Sequence, residues 1–181
     1  GGRTHGFQIW VNLPSSHKMM EPRYQEVPST ESPIVEQDGV WARVIAGECM
    51  GTTSSIDTKI PITLIHVKMK PESSLVQQLQ ADLNGMIYVF GGEINLENET
   101  RVKKSPIAFG IGAKQGLQDG ELALLSEGEE IVIESQEGAE FLIFAGPELD
   151  EPIERYGPFV MNTKEEIHQA LLDYQNGAFV S

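Results

Sequence analysis

The sequence predicts an all-β fold, a sandwich or barrel of short strands, closed near the C-terminus by one helix. Two observations predict it. Between residues 40 and 149, short apolar runs alternate with turn residues, and Gly110, Gly112, Gly116, Gly120, Gly128, Gly138 and Gly146 punctuate the series. Short strands at regular spacing fit a sandwich or barrel. Farther on, Ile167, Ala170, Leu171 and Tyr174 recur at i, i+3, i+4 and i+7, the spacing of one apolar helix face.

The elements follow in order. Phe7, Ile9, Val11 and Leu13 alternate at period two and predict a strand over Gly6 to Leu13, ended by Pro14. Residues 14–39 hold Pro14, Pro22, Pro28 and Pro33 among many Ser, Glu and Thr, without sustained periodicity; they read as a linker. Strands are expected at Trp41 to Ile45, Ile62 to Met69 and Met86 to Phe90. The Gly91-Gly92 pair is expected to turn the chain before Glu93 to Leu96 starts a new strand. Glu121 to Leu125, Glu129 to Ile133 and Glu140 to Phe144 continue the series. The helix spans residues 163–176. Thr163 and Glu166 stand at the spacing of a capping box, in which each side chain bonds the other's free backbone N–H, and Gly177 suits the stop.

Composition narrows the function. The 181 residues carry 13 Lys plus Arg against 27 Asp plus Glu, a formal net charge of −14. Nucleic-acid affinity comes largely from cations that displace counterions, and the densest basic group is only Arg101, Lys103 and Lys104. No direct nucleic-acid partner is expected; a protein with a basic face is a compatible one. Cys49 is the single cysteine, so no intrachain disulfide is possible and a reducing, cytoplasmic setting is expected, with the nucleus an alternative in a eukaryote. No apolar run approaches a membrane span, and no signal peptide is read at the start. Asn98-Glu99-Thr100 matches a glycosylation acceptor by chance in such a setting.

Three segments together resemble the pirin family. The first is Gly6-Phe7-Gln8-Ile9-Trp10-Val11-Asn12-Leu13-Pro14, followed by Lys18-Met19 and Pro22-Arg23-Tyr24-Gln25-Glu26. The second is the strand-rich middle. The third runs from Gly157-Pro158-Phe159-Val160-Met161-Asn162 through Thr163-Lys164-Glu165-Glu166-Ile167, with Gly177 and Phe179 beyond. Pirin-like proteins carry two cupin domains in tandem, so the resemblance implies a cupin-type double-stranded β-helix, or jelly roll, with a C-terminal helix. It implies residues 1–13 as the last strand of an N-terminal cupin, 14–39 as the linker, 40–149 as the C-terminal cupin and 150–181 as the tail and helix. In the family, iron or another divalent transition metal sits in the N-terminal cupin on three His and one Glu. Those ligands lie upstream of Gly1, and none is carried over to a residue here.

The general cupin pattern has two ligand-bearing motifs. Anchoring its first motif on Gly92 puts the two His positions at Leu79 and Ala81 and the Glu position at Gly85. Anchoring the second on Gly128 puts Ser126 at its Pro and Ile131 at its His. Leu79, Ala81, Gly85 and Ile131 offer no donor for a transition metal, and no His lies between His66 and His168. The expectation is no metal, no cofactor and no catalytic residue in this chain.

Other chemistry is sparse. His5 and His17 read as solvated, His66 as a half-buried, hydrogen-bonded strand residue and His168 as exposed. Glu48 beside Cys49 opposes thiolate formation. Gly110-Ile111-Gly112 lacks the third glycine of a dinucleotide site. Glu127, Glu129 and Glu130 read as a solvated face. Two roles follow from the resemblance. The chain is a structural or protein-binding support for a metal-binding N-terminal cupin, whose parent is quercetin 2,3-dioxygenase-like. Alternatively, it belongs to a transcriptional or metabolic co-regulator acting through protein contacts. An unpaired strand at Phe7 to Leu13 would also favour self-association.

Overall fold

The computed structural model describes residue 2 and residues 4–96, 116–125 and 128–178. The Asn98-Glu99-Thr100 acceptor, the cluster of Arg101, Lys103 and Lys104, the Gly110-Ile111-Gly112 turn, Ser126, Glu127 and Phe179 lie outside the described residues. The chain divides into two compact units, Gln25–Glu148 and the combination of Gly1–Tyr24 with Leu149–Ser181.

The larger unit is built of antiparallel strands. β1 (Ile34–Gln37) and β2 (Val40–Ala46) form a hairpin. Its turn residues, Asp38 at φ 49° and Gly39 at φ 84°, both adopt the left-handed backbone, which a two-residue hairpin loop requires and Asp-Gly supplies at low cost. This strand falls inside the stretch expected to be a linker. The linker reading is corrected there: Pro28 and Pro33 lead into a strand that has a partner. β3 (Glu48–Cys49) and β4 (Thr52–Thr53) make a second, small hairpin. Then come β5 (Thr63–Met69), β6 (Ser73–Gln78), β7 (Leu83–Leu96), β8 (Gly116–Gln118), β9 (Leu122–Leu124), β10 (Glu130–Ser135) and β11 (Ala139–Pro147). The main sheet runs β1-β2-β5-β11-β7-β10-β6, with β8 and β9 also paired to β7.

Alternation decides which face is inside. In β2, Val40, Ala42, Val44 and Ala46 are buried between half-buried Trp41, Arg43 and Ile45. The same pattern buries Ile65 and Val67 in β5 and Leu75 and Gln77 in β6. Val40, Ala42, Val44, Ile65, Val67 and Leu75 join Ile87, Val89, Ile133, Phe141 and Ile143 in one core. A flat sheet would hold β2 and β6 far apart, yet Gln77 Nε2 donates to the Glu48 carbonyl at 2.9 Å, just past the end of β2. The sheet is therefore curled round its core, as a closed jelly roll must be.

Gly91-Gly92 does not end a strand. β7 is continuous for 14 residues, and its pairing with β11 slips by one residue between Glu140 and Phe141. Phe90 is the extra residue of that bulge, between Val89 and Gly91, which face Phe141 and Glu140. Two residues on, Gly92 sits at φ +72°, where a Cβ would collide with the Gly138 carbonyl oxygen; β7 pairs with β11 up to this glycine and with β8 and β10 after it.

The smaller unit holds α1 (Ser15–Lys18), the hairpin of β12 (Glu154–Tyr156) and β13 (Phe159–Met161), and α2 (Lys164–Gln175). The capping box forms as expected: Thr163 Oγ1 accepts from Glu166 N–H at 3.2 Å, and the Glu166 carboxylate accepts from Thr163 N–H at 2.9 Å. Ile167 and Ala170 pack on Phe159 and Met161, with Leu171 beside them. Tyr174 departs from the expected buried stripe; it is largely exposed and meets Phe159 edge-on at 5.9 Å. Phe7 to Leu13, expected as a strand, has no regular secondary structure. Among the described residues no strand pairs with it.

Candidate functional site

The structure places the four expected metal positions as follows. Ile131 is buried in β10, directly opposite Gln77 of β6. Gly85 is buried in β7; its carbonyl accepts the Leu125 N–H at 2.8 Å, and a Cβ would meet Leu125 Cδ1 at 2.7 Å. Leu79 is half-buried against the main core. Ala81 is exposed between β6 and β7 and does not share the interior with the other three. The inward residues of β6 are Ser73, Leu75 and Gln77, so Gln77 faces the interior two residues before Leu79.

The chemistry of this set does not fit a transition metal. Leucine, isoleucine and glycine side chains carry no donor, and a neutral carboxamide alone holds no such ion. Among the described residues, no three His, Cys, Asp or Glu side chains converge on one point.

A cleft of about 670 Å³ opens beside this set, entirely within the larger unit. Its walls are the β3–β4 hairpin, the segment from Ser54 to Thr63, and the stretch of β6 and its turn from Val76 to Leu83. Thr53, Ser54 and Gln78 present polar groups, and Met50, Ile56, Ile62 and Leu79 present apolar ones. Gln77 is 3% exposed. Its Nε2 donates to the carbonyls of Glu48 at 2.9 Å and Gln78 at 2.7 Å, while its buried Oε1 has no partner. Cys49 is buried in the same wall, and burial, reinforced by the charge of Glu48, pushes its thiol up to about 11. It is held as a thiol and is no nucleophile at neutral pH. Sequence reading missed the cleft and Gln77.

The outer face of β2, β5 and β11 carries a cluster of titratable side chains. Arg43 stands opposite His66, and Trp41 opposite Lys68. Glu140 Oε1 lies 2.7 Å from His66 Nε2 and 3.1 Å from Lys68 Nζ. His66 meets Trp41 edge-on at 5.3 Å and Phe90 at 5.6 Å. Burial lowers the His66 pKa below 6.5 despite the opposing pull of Glu140. Burial raises that of Glu140, but bonds from Lys68 and His66 outweigh it and leave the carboxyl below its ordinary range. The cluster has no nucleophile and no cavity. It is the hydrogen-bonded strand histidine that the sequence predicted. His168 is exposed on α2, as predicted.

Comparison with known proteins completes the site. The family profile for the pirin C-terminal cupin domain matches residues 64–180. The chain belongs to the pirin family. Pirin from Homo sapiens is 37% identical over 175 residues, covering 96% of this chain and 56% of that protein. A pirin-like protein from Solanum lycopersicum is 36% identical, covering 97% of this chain and 57% of its own length. A solved structure of quercetin 2,3-dioxygenase from Acinetobacter baumannii superposes with a TM-score of 0.78 at 31% identity, over 95% of this chain and 56% of that one. The chain thus spans about half the length of the curated relatives it matches. The all-β cupin fold and the pirin resemblance are both met. This pirin cupin keeps the jelly roll, with Gln77, Gly85 and Ile131 buried in it and Leu79 half-buried.

Proposed function

We propose that this chain is a metal-free cupin supporting a metal-binding cupin in a longer pirin-family protein, and that the longer protein is a quercetin 2,3-dioxygenase-like oxidoreductase using iron or another divalent transition metal. The observation that carries this reading is the filling of the motif positions by Leu79, Gly85 and Ile131, the last packed in the core. A duplicated fold that has exchanged ligands for core side chains contributes stability and shape rather than redox chemistry. The similarity to the Acinetobacter baumannii structure supports the dioxygenase-like half of the proposal.

The test is oxygen-dependent loss of quercetin absorbance with the chain and ferrous iron, against iron alone. The expected result is no turnover above the iron-only rate; multiple turnovers per chain would overturn the proposal. A second reading, a co-regulator acting by protein contact, is favoured by the net charge of −14, which suits a basic protein face. A complex with such a partner that dissociates as salt rises would support it, and one indifferent to salt would count against it.

A further inference from the structure

We infer that the cleft beside β3 and β4 binds a small uncharged molecule carrying hydroxyl or amino donors on an apolar body. Three observations carry the inference, and none depends on the support role proposed above.

The first is the Gln77 carboxamide. Its nitrogen is committed to two backbone carbonyls, at 2.9 Å and 2.7 Å, which fixes the amide orientation and leaves Oε1 as the acceptor to be satisfied. That oxygen is buried without a partner on a residue that lines the cleft. Buried polar atoms in folded proteins are nearly all hydrogen-bonded, so a donor that enters from the cleft as the wall around Gln77 gives way completes the set. The second is size: about 670 Å³ falls in the range of roughly 300–1,000 Å³ typical of small-molecule sites. The third is the lining. Met50, Ile56 and Leu79 accept an apolar body. Among the described residues no Lys, Arg or His lines the cleft, whereas Glu48 and Asp57 do, Asp57 being paired with Lys59 at 3.5 Å. An anion placed there would be desolvated without a counter-charge.

The experiment is a titration of the ¹⁵N-labelled chain followed by amide NMR with three probes of similar size: resorcinol, its dimethyl ether and benzoate. Resorcinol has donors and no charge; the ether lacks the donors, and benzoate is an anion. Saturable shifts are expected for the Gln77 side-chain amide and the backbone amides of Cys49 and Leu79 with resorcinol, and binding about tenfold weaker for the other two probes. Two variants sharpen the test. Gln77→Met removes the acceptor at similar volume, and Leu79→Trp fills the cleft; each is expected to weaken resorcinol about tenfold. If Gln77→Met fails to fold, Leu79→Trp decides. The inference is overturned if resorcinol leaves these amides unmoved, which would assign Gln77 Oε1 to water alone. Equal binding of all three probes, or undiminished binding to folded Leu79→Trp, would overturn it too.

Discussion

His66 shows how one residue sets a pH response without taking part in chemistry. It is a fifth exposed, bonded to Glu140 and wedged between Trp41 and Phe90. Burial favours its neutral form and outweighs the pull of the carboxylate. A histidine depressed in the folded state leaves the unfolded chain binding more protons below 6.5, so stability rises with pH through that range. The contribution is complete above 6.5 and is lost as pH falls through the lower folded value. Glu140, also depressed, adds a loss at lower pH, below the ordinary carboxyl range. The His66 ring-proton titration should therefore give a midpoint below 6.5; one at or above 6.5 would mean that the ion pair with Glu140 prevails over burial. The histidine's role was legible from its shared strand face with Leu64. Gln77 was legible too: Ser73, Leu75 and Gln77 alternate, and following that alternation instead of counting from Gly92 would have placed Gln77 and not Ala81 inside. The orphaned Oε1 was not legible, because its burial depends on Glu48 and Gln78 carbonyls brought in by the curl of the sheet.

At the scale of elements, strands with one buried face were read correctly because alternation is a local signal. β1 was missed although its turn carries Asp38-Gly39, a strong hairpin cue; prolines at 28 and 33 and four mostly exposed strand residues masked it. Gly91-Gly92 was misread because a turn and a bend inside a strand use the same residue, and only the facing strand distinguishes them. The structure makes that difference testable. Gly92→Ala would place a Cβ against the Gly138 carbonyl on a left-handed backbone, and chemical denaturation should show a loss of about 3 kcal/mol. A loss within experimental error would contradict the left-handed backbone and close approach at Gly92. The helix offers a milder case. Thr163→Ala removes one half of the capping box, and hydrogen exchange of α2 amides should report a loss of about 1 kcal/mol, with the larger unit's strands unaffected.

At the scale of the whole molecule, a jelly roll can enclose a metal, a ligand or only its own side chains, and the fold does not choose among them. The choice lies in a few inward positions. Here Leu79, Gly85 and Ile131 supply hydrocarbon or nothing, Gln77 supplies one amide, and the described residues hold no converging metal donors. The fold class was readable because it is written in residue types at fixed intervals. The cleft was not, since its walls come from segments that meet only when β2 and β6 close the sheet. The long segment expected to be a strand at Phe7 to Leu13 failed for the opposite reason: its pattern is strand-like, but no described strand lies beside it. The measurement that tests the central claim most directly is the iron content of the purified chain after incubation with ferrous iron and desalting. The account predicts far less than one iron per chain; one firmly retained iron per chain would contradict it and place donors where the structure has leucine, glycine and isoleucine.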